Sequence, residues 1–136
     1  MVDKNSKLTR DSVKWVRDKV KTSYPQKVEC AICGVRDNLQ LHHYSSISLL
    51  WLKWLKGRPI DTDAQILKLR DQFIEEHQVE LLEEVVTLCK VCHNEKLHHI
   101  YGRAPALATA KKQAAWVLKM RNKFLAKHLD AKASSS

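Results

Sequence analysis

The chain has 136 residues, about one domain's worth with a modest core, and its 24 Lys+Arg against 15 Asp+Glu leave a net charge of +9 and a pI near 9.5. That balance favours a polyanionic partner, nucleic acid above all. No run reaches the roughly 18 to 20 apolar residues of a spanning helix, and the N-terminal MVDKNSKLTRDS lacks the apolar core of a signal peptide, so no membrane attachment is expected and a reducing, cytosolic compartment is.

In chain order, RDSVKWVRDKVKTS (10–23) places Val13, Val16 and Val20 at helical spacing with lysines between them, and Pro25 ends the pattern. NLQLHHY (38–44) alternates Leu39 and Leu41 with Gln40 and predicts a strand. SISLLWLKWLKG (46–57) predicts a short buried helix stopped by Gly57 and Pro59. Thr62 and Gln65 fit a capping box, opening an amphipathic helix through Ile66, Leu69, Phe73, His77 and Leu81. VVTLC (85–89) is a second strand. Pro105 then precedes a long helix whose stripe is Ala110, Ala114, Val117 and Phe124 and whose other faces are basic, and AKASSS (131–136) reads as a frayed tail. The fold class is α+β and predominantly helical. Net charge is partitioned as +4, +3, −6 and +8 over residues 1–30, 31–60, 61–88 and 89–136, so an acidic block separates two basic arms and is expected to face away from a phosphate backbone.

Four cysteines fall into two pairs, Cys30-x2-Cys33 and Cys89-x2-Cys92, 55 residues apart. The x2 spacing lets both thiolates of a pair reach one tetrahedral ion, and two pairs close a structural zinc site. A closed four-thiolate site has no open position for water or substrate, so any chemistry must come from elsewhere. Five of the seven histidines, His42, His43, His93, His98 and His99, adjoin the strand ends and the second cysteine pair. A zinc pinning both segments would bring them together.

The pattern CAICG…LQLHHY…VVTLCKVCHNEKLHH resembles the HNH endonucleases of the ββα-metal class, in particular the zinc-stapled subgroup of phage homing, recombination and restriction enzymes. The resemblance covers residues 28–101 and implies a ββα-metal hairpin-helix core stapled by a four-cysteine zinc. With the length of one domain, the chain is expected to be a single HNH endonuclease domain over 1–136: an N-terminal helical arm (1–27), the core (28–101) with a helical insertion (46–83), a basic C-terminal helix (102–130) and a tail (131–136), the flanking helices lying outside the resemblance. By position, His42 and His93 become ligands of one catalytic divalent ion, Mg2+, Mn2+, Ni2+ or Zn2+, and His43 becomes the general base of a metal-dependent DNA endonuclease or nickase. An imidazole suits that role because its unperturbed pKa lies near neutrality. The implied partner is DNA, in the cytoplasm of a bacterial or phage-infected cell, with monomer and homodimer both open.

Two departures from the family pattern stand out. The family's central asparagine, which steadies the base, falls on Glu84, whose ionised side chain accepts but cannot donate. The second helix histidine of some relatives, four positions after the ligand, falls on Leu97; His98, five positions on, is the candidate third ligand or phosphate contact, with His99 behind it. The tryptophans Trp51 and Trp54, with Leu55 and Phe73, are expected to pack the insertion onto the core or onto a second subunit. Candidate phosphate contacts are Arg36, Lys90, Lys96, Arg103, Lys111, Lys112, Lys119, Arg121 and Lys123. No helix-turn-helix or similar base-reading module is recognisable. The rival readings are a non-catalytic zinc module that binds nucleic acid, and a small interaction protein self-associating through 46–56.

Overall fold

The computed structural model describes residues 7–134, with side chains over 11–128. The first expected helix is α1 (Lys7–Lys21). Val16 and Val20 of its stripe are buried, with Val13 packed beside them. The two predicted strands, β1 (Leu39–His43) and β2 (Val85–Cys89), form one antiparallel pair in which Leu39 faces Cys89 and His43 faces Val85. Successive side chains on a strand alternate between faces, so Gln40 and His42 share one face of β1 and Leu41 and His43 the other.

Between the strands lie α2 (Ile47–Leu55), capped by the Ser46 hydroxyl, and α3 (Asp63–Glu76). The α3 capping box is formed as expected, with the Thr62 hydroxyl accepting from the Gln65 N–H and the Gln65 carboxamide accepting from the Thr62 N–H. α3 stops short of the expected Leu81. At His77 the backbone leaves helical geometry, and its ring Nδ1–H donates back to the Phe73 carbonyl. A π-helical turn (Val79–Glu83) follows, which brings Leu81 into the core by a different path.

The insertion touches the strand pair at Leu81, whose carbonyl meets the His43 ring, but its main packing is elsewhere. It joins α1 in a core of its own, built from Val16, Val20, Ile47, Trp51, Leu55, Ile60, Ile66, Phe73 and Leu81. The Trp51 indole N–H donates to the buried Ser12 hydroxyl at 2.9 Å, satisfying the one polar atom that the ring carries into this core. A second core surrounds the cysteines: Cys30, Ile32, Leu88, Cys89, Cys92, Leu97 and Val117, flanked by Leu39, Tyr44, Trp116 and Met120.

After β2 the chain winds into a π-helical segment (Val91–Leu97), then the short α4 (His98–Tyr101). A 3-10 turn (Leu107–Thr109) leads into α5 (Ala110–Ser134), which continues past residue 130 where a frayed tail was expected; residues 135–136 lie outside the described residues. Among the described residues no helix is long and apolar enough to cross a membrane.

Candidate active site

The cysteine cluster is assembled from two turns and the strand pair. Gly34, at φ +76, lets the chain reverse so that its N–H reaches the Cys30 carbonyl, while the Cys92 N–H donates to Cys89 Sγ at 3.4 Å. All four thiols are free, and their sulfurs lie within 4.8 Å of one another. Cys33 Sγ is 3.7 Å from Cys89 Sγ and 3.9 Å from Cys92 Sγ. A tetrahedral ion with metal–sulfur bonds of about 2.3 Å holds its sulfurs roughly 3.8 Å apart, so the spacing fits a metal ion, zinc included. Burial pushes the Cys33 and Cys92 thiols up. At Cys30 burial acts in the same direction, but the backbone N–H groups of Cys33, Cys89 and Ile32 together outweigh it and bring the thiol down to about 7.

A second cluster joins His42, His93 and His98. His42 comes from β1, His93 follows Cys92 directly, and His98 lies one π-turn further on, its backbone N–H bonded to the His93 carbonyl five residues back. That turn explains the unexpected spacing. In an α-helix residues five apart diverge around the axis, whereas i→i+5 bonding stacks them on one face.

Oxygen partners determine the tautomer of each ring, since a carbonyl can only accept. His42 Nε2–H donates to Gln113 Oε1 at 2.7 Å, His93 Nδ1–H to Gln40 Oε1 at 2.6 Å, and His98 Nδ1–H to the Gly102 carbonyl at 2.6 Å. The orientation of the Gln113 amide follows from its NH2, which donates to the Tyr44 carbonyl at 3.0 Å and to the Thr109 hydroxyl at 2.9 Å. A neutral ring so held keeps one lone pair, and those on His42 Nδ1, His93 Nε2 and His98 Nε2 would converge, since the nitrogens stand 3.0 and 2.8 Å apart. Facing lone pairs repel unless a cation lies among them. Burial is the main cause that lowers both His42 and His93 to about 4, keeping them neutral, as ligand imidazoles must be.

His43 is not part of this cluster. Its Nε2–H donates to the Leu81 carbonyl at 2.9 Å, which leaves Nδ1 unprotonated, and its ring lies 5.3 Å from that of Tyr24. Burial lowers its pKa, with the Arg17 guanidinium adding to the effect and the Leu81 bond opposing it. His43 meets this carbonyl and not Glu84, its expected orienting residue: the Glu84 side chain is exposed, and its backbone carbonyl accepts from the Tyr44 N–H.

His42, His43, His93 and His98 line one cleft of about 310 Å³, together with Arg17, Leu41, Ser46, Ile47, Arg103 and Pro105. Of the basic residues singled out in the sequence only Arg103 reaches this cleft. Arg36, Lys90, Lys96, Lys111, Lys112, Lys119 and Lys123 are exposed elsewhere, and Arg121 is half-buried, donating to the Ile32 carbonyl at 3.3 Å as a tie between α5 and the first cysteine turn. His99 is exposed and outside the cluster.

Sequence reasoning missed Arg17, Gln40 and Gln113. Gln113 carried a signal, a lone polar residue between Ala110 and Val117 on the apolar stripe, and Gln40 precedes His42 by two on a strand. Nothing marked Arg17 among the basic residues of α1.

One closed thiolate cluster and one open imidazole cluster, joined through a two-stranded sheet in a mostly helical chain, define a protein with two candidate metal centres, the open one lying in a cleft with two guanidinium groups. The chain belongs to the phage T5 nicking endonuclease family, whose model matches residues 2–134, and so is a DNA nuclease by class. No solved structure matches it.

Proposed function

We propose that this is an HNH-type nicking endonuclease, stapled by zinc on Cys30, Cys33, Cys89 and Cys92, with one catalytic divalent ion on His42, His93 and His98. The single observation that carries the reading is the convergence of three imidazole lone pairs beside a fourth histidine whose tautomer leaves Nδ1 free to take a proton. His43 Nδ1 removes a proton from water as the water oxygen attacks phosphorus in line; the bond to the 3′ oxygen breaks, leaving a 5′-phosphate and a 3′-hydroxyl that takes its proton from solvent. Arg17 and Arg103 offset the charge that builds on the phosphate. When bound, a divalent ion supplies charge stabilisation to the phosphate and the leaving oxygen. Three imidazoles form a softer set than carboxylates and favour Mn2+, Ni2+ or Zn2+ over Mg2+.

A single domain fits the cleft, which is lined by residues from α1, β1, the start of α2 and the segment that follows β2. The reading as a non-catalytic zinc module has no use for the fixed tautomer of His43. Plasmid relaxation with Mg2+, Mn2+, Ni2+ and Zn2+ tests the proposal. His43→Ala should lose about 10²- to 10⁴-fold in nicking rate while the fold and DNA binding persist. An unchanged rate removes His43 from its role.

A further inference from the structure

Gln113 is fully buried on α5, 71 residues from His42 in sequence, and every hydrogen-bonding atom of its amide is used. Its oxygen accepts from His42 Nε2–H, and its NH2 is divided between the Tyr44 carbonyl at the end of β1 and the Thr109 hydroxyl one turn back. Those two donations prevent the amide from rotating to offer nitrogen to His42, since that would bring oxygen against the Tyr44 carbonyl. The group facing His42 is therefore locked as an acceptor. Gln40, two residues before His42 on the same face of β1, sets its Oε1 2.6 Å from His93 Nδ1.

We infer that Gln113 is a positioning residue for the metal centre, holding His42 in the tautomer that presents Nδ1 to a cation, with Gln40 as its counterpart at His93. The inference rests on the proposed imidazole metal site and extends it to α5. A consequence is that the helix exposing Lys111 and Lys112 is registered to the ligand set through the residue next to them. Outer partners of this kind typically change metal affinity by about 10- to 100-fold when removed.

The test uses full-length protein with its cysteine site filled with Zn2+. Long-range 1H–15N NMR before further metal is added reads the His42 tautomer, and titration with Co2+, followed by its visible absorbance, reads affinity at the imidazoles. Wild type should show Nε2–H at His42. Gln113→Met should populate Nδ1–H and weaken Co2+ by about 10- to 100-fold. Gln113→Glu, which keeps an acceptor but loses both donations, should restore the tautomer and most of the affinity while melting at lower temperature. Gln40→Met provides the same readout at His93 from a half-buried site, should Gln113→Met fail to fold. An unchanged tautomer and Co2+ affinity in the Met variants, with only a lower melting temperature, would reduce both amides to packing and overturn the inference. Failure of wild type to bind Co2+ at the imidazoles would instead sink the metal-site reading, leaving the tautomer result to decide the positioning role.

Discussion

Each histidine in the cleft is defined by the atom on its far side. Three rings donate away from the pocket to amide or carbonyl oxygens, and His43 donates to Leu81, so the second nitrogen of each ring is the one turned to a ligand. This has a pH consequence. His42 and His93 have folded values of about 4 against an ordinary 6.5, so between those values the unfolded chain binds more protons than the folded one and stability rises with pH. Their contribution is fully present above pH 6.5 and is lost as pH falls toward 4. Thermal melts of protein with the imidazole site metal-free should show a falling midpoint across that window, and His42→Asn should flatten the dependence. On the proposed reading the arginines act on the substrate side. Arg17→Ala and Arg103→Ala should each lower kcat for nicking by about tenfold or more, measured at saturating metal. Equal rates would place the phosphate elsewhere.

At the scale of elements, the π-helical segment Val91–Leu97 decides whether His98 is a ligand. Helix period argues against a pair five apart, and only i→i+5 bonding brings the two rings within 2.8 Å. Inserting one alanine between Asn94 and Glu95 should rotate His98 off the shared face. Co2+ binding at the imidazoles should then fall by at least about tenfold, with the zinc content of the cysteine site unchanged as read by atomic absorption. Retained affinity would show that His98 is not a ligand. β1 makes a similar contribution by ordinary alternation, setting Gln40 and His42 on one side, and Gly102, at φ +84, turns the chain so that its carbonyl meets His98 Nδ1.

Across the whole molecule, the cleft is assembled from elements far apart in sequence. α1 contributes Arg17, the start of α2 contributes Ser46 and Ile47, the latter a member of the first core, and β1, the π-helical segment and α4 contribute the histidines. The cysteine cluster does not line the cleft, yet Cys92 adjoins His93, and Cys89 ends the strand paired with that of His42. Cys92→Ser should therefore reduce zinc content, lower the melting temperature and cut nicking by at least about tenfold, although the residue is remote from the substrate. Full activity without bound zinc would separate the staple from the chemistry.

The four longer helices in outline, both strands, the capping box, the two cysteine pairs and the candidacy of His42, His43 and His93 were legible in the sequence, because periodicity, cap chemistry and ligand spacing are local properties. The partners were not. Gln113, Arg17, the Leu81 carbonyl and the stacking of His93 on His98 depend on which surfaces meet and on a helical winding that no residue pattern announces. Local codes determined which groups this chain could offer a metal and a phosphate; tertiary packing, acting between segments up to 71 residues apart, decided how each was aimed and which proton it kept.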